Sequence, residues 1–247
     1  MNYRIISSLL VVWAIMSGTS CMKNEYFPCI KPRGTITEEV RFAGNFNSVD
    51  LKLNANVHIT QGEDNSIVIA APENLLEYIT TSGRNNRLEI DNSKCIRNRG
   101  DEIDIYLTMQ QISAVKVTGS GKLSMDNDFV GDHINMEVSG SGNIFFAGDY
   151  NSIQSIVTGS GNILLTGKSM KHDVQISGSG MVNALQMWSE NAFVRISGSG
   201  NSKINAAEKI DGRISGSGNV YYAGNPAVSI SISGSGKLIH IPFDYEY

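Results

Sequence analysis

The tetrapeptide Ser-Gly-Ser-Gly returns at 177–180, 197–200, 215–218 and 233–236, and three further Gly-Ser-Gly copies precede it. The first glycines are Gly119, Gly140, Gly159, Gly178, Gly198, Gly216 and Gly234, at spacings of 21, 19, 19, 20, 18 and 18 residues. Flexible linkers are not flanked as these are. Two residues ahead of each first glycine stand Val117, Val138, Val157, Ile176, Ile196, Ile214 and Ile232, all β-branched and apolar. Four residues after it come Leu123, Ile144, Ile163, Val182, Ser202, Val220 and Leu238, with Ser202 the one polar exception. Each unit reads strand, glycine corner, strand, then a second turn such as Ala147-Gly148-Asp149 or Thr166-Gly167-Lys168.

A unit of this length cannot bury its own apolar face. Stacked on its neighbours it can, with β-branched rungs in ladders one strand spacing (~4.8 Å) apart. The expected fold is therefore all-β, a parallel β-helix (β-solenoid) with coils of about 19 residues. Glycine suits the corner because a sharp bend calls for positive φ, and the serine hydroxyl can cap local backbone groups. Asn143, Asn162, Asn201 and Asn219 follow the corner in four copies and are expected to stack as an amide ladder. Ile196 and Ile214 are expected to point inward, Ser199 and Ser217 to lie at a corner near solvent.

Residues 36–112 lack Gly-Ser-Gly but keep strand alternation, as in Val49-Asp50-Leu51-Lys52-Leu53. Leu53–Ile59 reads as a degenerate corner with Asn54-Ala55-Asn56 in place of the glycines. Pro72–Ile79 reads as a helical turn or lateral excursion. Because solenoid ends must hide their open edges, this region is expected to form the N-terminal part or cap of the coil. Phe243–Tyr247 is a candidate closure for the other end.

The first residues have another purpose. Arg4, the apolar run Ile5–Met16 and the small residues Gly18, Thr19 and Ser20 have the layout of a secretory signal. Cys21 follows at once, as in a lipobox whose thiol is acylated. An ordinary signal peptide with a coincidental cysteine is the alternative. The organisation expected is 1–20 signal peptide, 21–35 tether, 36–112 N-terminal β part, and 113–247 Gly-Ser-Gly repeat. Export also places Cys29 and Cys95 where a disulfide persists; one bridge is expected, two free thiols being the alternative.

The strand openings Val40-Arg41-Phe42, Phe46-Asn47-Ser48-Val49 and Asn56–Gly62, followed by the Gly-Ser-Gly series, resemble the head GIN domain family over roughly residues 36–240. That resemblance implies a right-handed β-helix in an exported protein, often a lipoprotein of Bacteroidetes type, under an auto-transporter adhesin label. It carries over no catalytic residue and no cofactor.

Enzyme chemistry on a coil face needs paired carboxylates or a base with a metal. Asp126, Asp128, Asp132, Asp149 and Asp173 sit at turns, where aspartate is common. Asp128 and Asp149, about one coil apart, are the candidate pair for a polysaccharide lyase or hydrolase. His58, His133, His172 and His240 share no metal-ligand spacing. His58 is read as solvent-facing, His240 as an inward residue near the coil's end. Gly167-Lys168-Ser169 lacks the glycine spacing and following helix of a phosphate loop. The residues after the corners are not the aspartates a calcium β-roll needs. Arg99-Gly100-Asp101 is a receptor-binding tripeptide that also arises by chance.

The net charge of −4 is scattered, with no basic stripe for nucleic acid. The function expected is a non-catalytic binding, adhesion or scaffolding module of the cell envelope, lipid-anchored to the outer membrane. Its expected partners are the membrane, a protein or glycan ligand, and a second copy of the chain.

Overall fold

The structure is a computed structural model that describes residues 29–42, 44–98 and 102–242. Its N-terminal half holds β1 (Ile36–Arg41), β2 (Ser48–Leu51), β3 (Asn56–Gln61), β4 (Ser66–Pro72), the helical turn α1 (Glu73–Leu76), β5 (Ile79–Arg84), β6 (Arg87–Asn92) and β7 (Asp104–Met109). The repeat holds β8 (Ala114–Gly119), β9 (Lys122–Met125), β10 (Phe129–Gly140), β11 (Asn143–Gly159), β12 (Asn162–Gly178), β13 (Met181–Gly198), β14 (Asn201–Gly216), β15 (Asn219–Ala223), β16 (Ala227–Gly234) and β17 (Lys237–His240).

The repeat forms a β-solenoid. β8, β10, β11, β12, β13, β14 and β16 pair in parallel, one coil on the next. The register puts all seven first glycines in one column, from Gly119 to Gly234. Val117, Val138, Val157, Ile176, Ile196 and Ile214 stack in the column two residues earlier and are buried. β-branched side chains pack well on such a pleated surface, and each fully buried one stabilises the coil by ~1.5–3 kcal/mol. Ile232, the seventh, is 42% exposed because no described residue stacks on the last coil. The same cause exposes His240: its alternation phase is inward, as read from sequence, but it lies open to solvent, with Nε2 2.9 Å from the Gly224 carbonyl.

At the N-terminal end, spatial order departs from chain order. β2 lies between β8 and β6, and β3 between β9 and β7, all in parallel. Thus β2–β3 is a true coil, while the later β6 and β7 lie outside it. Antiparallel strands then close the end: β4 joins β7, β1 joins β4, and β5 joins β6. α1 caps this end with Leu75 fully buried. Arg41 secures it by donating to the carbonyls of Ile79 and Leu76 and pairing with Glu39. Charges on β1 guard the free edge against pairing with another chain.

The degenerate corner lies one residue earlier than the sequence suggested. Leu51 pairs with Val117 and Asn56 with Lys122, so Leu53-Asn54-Ala55, not Asn54-Ala55-Asn56, underlies Gly119-Ser120-Gly121. Larger residues are tolerated there because this corner is built without positive φ. Cys29 and Cys95 are disulfide-bonded, and Ile30 N–H donates to the Cys95 carbonyl at 2.8 Å, tying the N-terminal arm to the cap. Signal peptide, Cys21, Arg99-Gly100-Asp101 and Phe243–Tyr247 lie outside the described residues.

Candidate functional site

The corner column shows why glycine is required twice per coil. The first glycine has φ near +120°, for example +121° at Gly198. Its missing Cβ matters as much. A Cβ on Gly198 would sit 2.6 Å from the Gly178 carbonyl oxygen, and one on Gly200 would sit 2.5 Å from the Gly180 carbonyl and from Ile176 Cγ2. That closeness has a purpose, because the Gly178 carbonyl accepts from both Ser199 N–H and Gly200 N–H at 2.9 Å. The corner thereby finds partners for backbone groups that a bend would otherwise orphan. Ser199 and Ser217 are exposed, as expected.

The amide ladder forms in two short pieces. Asn162 Nδ2 donates to Asn143 Oδ1 at 2.9 Å, and Asn219 Nδ2 to Asn201 Oδ1 at 3.2 Å. Met181 occupies the rung between Asn162 and Asn201 and interrupts it. At Ser202 the inner ladder carries a fully buried hydroxyl with no hydrogen-bond partner.

The carboxylate pair considered for catalysis is not assembled. Parallel register sets Asp149 beside Val130 on one side and Lys168 on the other, two positions away from Asp128. His58 faces outward, half-buried and stacked on Tyr106 at 5.1 Å. Its Nδ1 lies 3.4 Å from Asp126 Oδ1 and its Nε2 3.7 Å from Asp104 Oδ1. Ser124 Oγ, 3.5 Å from the same Nδ1, donates to the Val57 carbonyl. These contacts are too long and too shared to activate the hydroxyl.

Sequence reading missed a buried polar pair. His172 is fully buried, with Nε2 3.0 Å from Ser155 Oγ. Desolvation pushes its pKa down to about 3, so the imidazole is neutral at pH 7. The signal was present: His172 alternates with Val174 and Ile176, on the inward phase. Burial likewise pushes the Tyr150 hydroxyl up to about 12, and that hydroxyl donates to the Ile112 carbonyl at 3.0 Å.

The lateral surface of the coils is built from columns of side chains. Outward side chains of successive coils form columns, as in Gln154, Asp173, Phe193 and Asp211, or Ile156, Gln175, Arg195 and Arg213. Strands β11–β14 are paired on both sides, so ligands meet side chains there rather than free backbone.

A stack of parallel coils with a capped N-terminal end and long columned faces defines a repeat scaffold. The family model described as "Putative auto-transporter adhesin, head GIN domain" matches residues 45–226. The chain belongs to that family. Among solved structures, a "putative adhesin" from Bacteroides fragilis is 23% identical, with TM-score 0.76, covering 86% of this chain and 100% of its own. A "putative lipid binding protein" from Parabacteroides distasonis is 19% identical with TM-score 0.71, covering 87% of this chain and 100% of its own. A "putative adhesin" from Parabacteroides merdae is 19% identical with TM-score 0.73, covering 86% and 98%. At such identities the likeness is one of fold. No curated protein matches the chain.

Proposed function

We propose that the protein is a non-catalytic lipoprotein of the cell envelope, held at the outer membrane through Cys21, that binds, adheres or scaffolds through the side of its solenoid. The observation that carries this reading is the unbroken register of the corner column, which turns a repetitive sequence into a long, rigid lateral surface. The adhesin label of the family, and the adhesin and lipid-binding names of the fold neighbours, support a binding role. The layout of residues 1–21 supports export and lipidation.

The test is made in cells of the source type. Wild-type protein is expected in the membrane fraction and labelled by exogenous fatty acid, whereas Cys21→Ser protein is expected to be soluble, since stable anchoring needs more than one acyl chain. Membrane-bound Cys21→Ser protein, or unlabelled wild type, would overturn the anchor. Protease added to intact cells then reports the face: digestion places the solenoid outside, protection places it in the periplasm.

A further inference from the structure

We propose that the groove around Arg195 and Arg213 is a binding site for an acidic glycan, with a uronate carboxylate held between the two guanidinium groups. This rests on the binding-module reading above and names its surface and ligand class.

The two arginines stand three residues ahead of their corner glycines, so the coil register places them on adjacent rungs. Like charges directly opposite one another destabilise a sheet. Among the described residues neither guanidinium makes an ion pair that would relieve this repulsion. The nearest carboxylate along the strand, Asp211, is already engaged by Lys209 at 2.6 Å. Arg195 is also held in place, with its guanidinium 4.2 Å from the centre of the Phe193 ring. A stacked guanidinium keeps its edge N–H groups free for a planar oxyanion.

Beside the arginines lies a groove of about 390 Å³ whose lining contains no carboxylate, in a chain whose net charge is −4. Its lining includes Thr158, Ser177, Ser197 and Ser215, one hydroxyl per coil along the solenoid axis. Hydroxyls repeating every ~4.8 Å suit an extended, hydroxyl-bearing polymer. An acidic peptide fits less well. Strands β12–β14 are paired on both edges, so a peptide finds no backbone ladder to extend. The donors on this face match a ligand that offers carboxylates and hydroxyls together, which is the chemistry of a polyuronate.

The mature protein is titrated calorimetrically with oligogalacturonate, neutral dextran and poly-glutamate. Oligogalacturonate is expected to bind with an affinity that falls as salt rises, and dextran is not. Arg195→Gln with Arg213→Gln should weaken binding at least ~10-fold, as expected for losing charge-assisted hydrogen bonds. Ser197→Val, which leaves the charge intact, should weaken it by a smaller factor. Arg84→Gln with Arg87→Gln, an equal charge loss at the cap, should leave it unchanged. Binding insensitive to Arg195 and Arg213, or equally sensitive to the cap control, would overturn the site while leaving the binding-module reading intact. Poly-glutamate binding as tightly would overturn the glycan class. Absence of oligogalacturonate binding would overturn the proposal. The binding-module reading would fall separately, if the intact lipoprotein retained no ligand of any kind on cells.

Discussion

Replacing one glycine hydrogen by a methyl group should strain the solenoid more than removing an exposed hydroxyl one residue away. At Gly198 an alanine meets two penalties. The backbone φ of +121° is one that L-residues rarely adopt, and holding a residue in such a region costs ~1–3 kcal/mol. The new Cβ would also lie 2.6 Å from the Gly178 carbonyl oxygen, where ordinary contact begins at 3.4 Å. Relief requires the two coils to separate at the corner. The Gly178 carbonyl would then lose its two bonds from Ser199 and Gly200, each contributing ~0.5–1.5 kcal/mol. The expected cost is ~2–6 kcal/mol. Gly200→Ala separates the causes, because Gly200 is not among the positive-φ glycines yet its Cβ would approach the Gly180 carbonyl to 2.5 Å. Ile196→Ala, which opens a cavity at a position only 2% exposed, should cost ~2–5 kcal/mol. Ser199→Ala should cost under ~0.5 kcal/mol. Urea midpoints by far-UV circular dichroism compare the four, with m-values checked because repeat arrays can open locally. Wild-type midpoints for Gly198→Ala and Gly200→Ala would refute the stacked-corner argument. A neutral Gly200→Ala beside a costly Gly198→Ala would assign the whole effect to φ.

Acid should weaken the fold through His172. Its folded pKa of about 3 lies below the ordinary histidine value near 6.5, so the unfolded chain takes up a proton that the folded chain refuses. Stability is therefore full above pH ~6.5 and falls as pH drops towards 3, by up to ~1.4 kcal/mol per unit. His172→Leu with Ser155→Ala removes both members of the buried pair and should flatten the midpoint between pH 7 and 4.5 relative to wild type; parallel curves would contradict this. The Cys29–Cys95 bridge closes a sequence separation of 66 residues, worth ~4 kcal/mol in the chain-entropy model. Non-reduced peptide mapping of exported protein should show that linked pair, and reduction should lower the urea midpoint. Two free thiols in exported material would refute it.

The coil register was legible in the residues because the repeat states it directly. Glycines, β-branched rungs and asparagines recur at fixed offsets, and parallel stacking converts equal offsets into physical columns. Arg195 and Arg213 could have been paired by the same alignment, since both stand three residues before a corner. The inward phase of His172 was equally readable, yet a histidine in an apolar ladder gave no sign of Ser155, its partner one coil away. Asp128 and Asp149 show the opposite error: near-equal spacing suggested neighbours, and a two-residue offset in register separates them.

The N-terminal end was a different matter. No periodicity indicates that β6 and β7 lie outside β2 and β3, or that β1, β4 and β5 turn antiparallel to close the coil. A local repeat specifies what lies one coil away, because each unit must bury its apolar face on the next. The order in which non-repeating strands add to an open end depends on which edges and apolar faces are left to cover. Those are properties of the assembled end, and only the tertiary structure decides them.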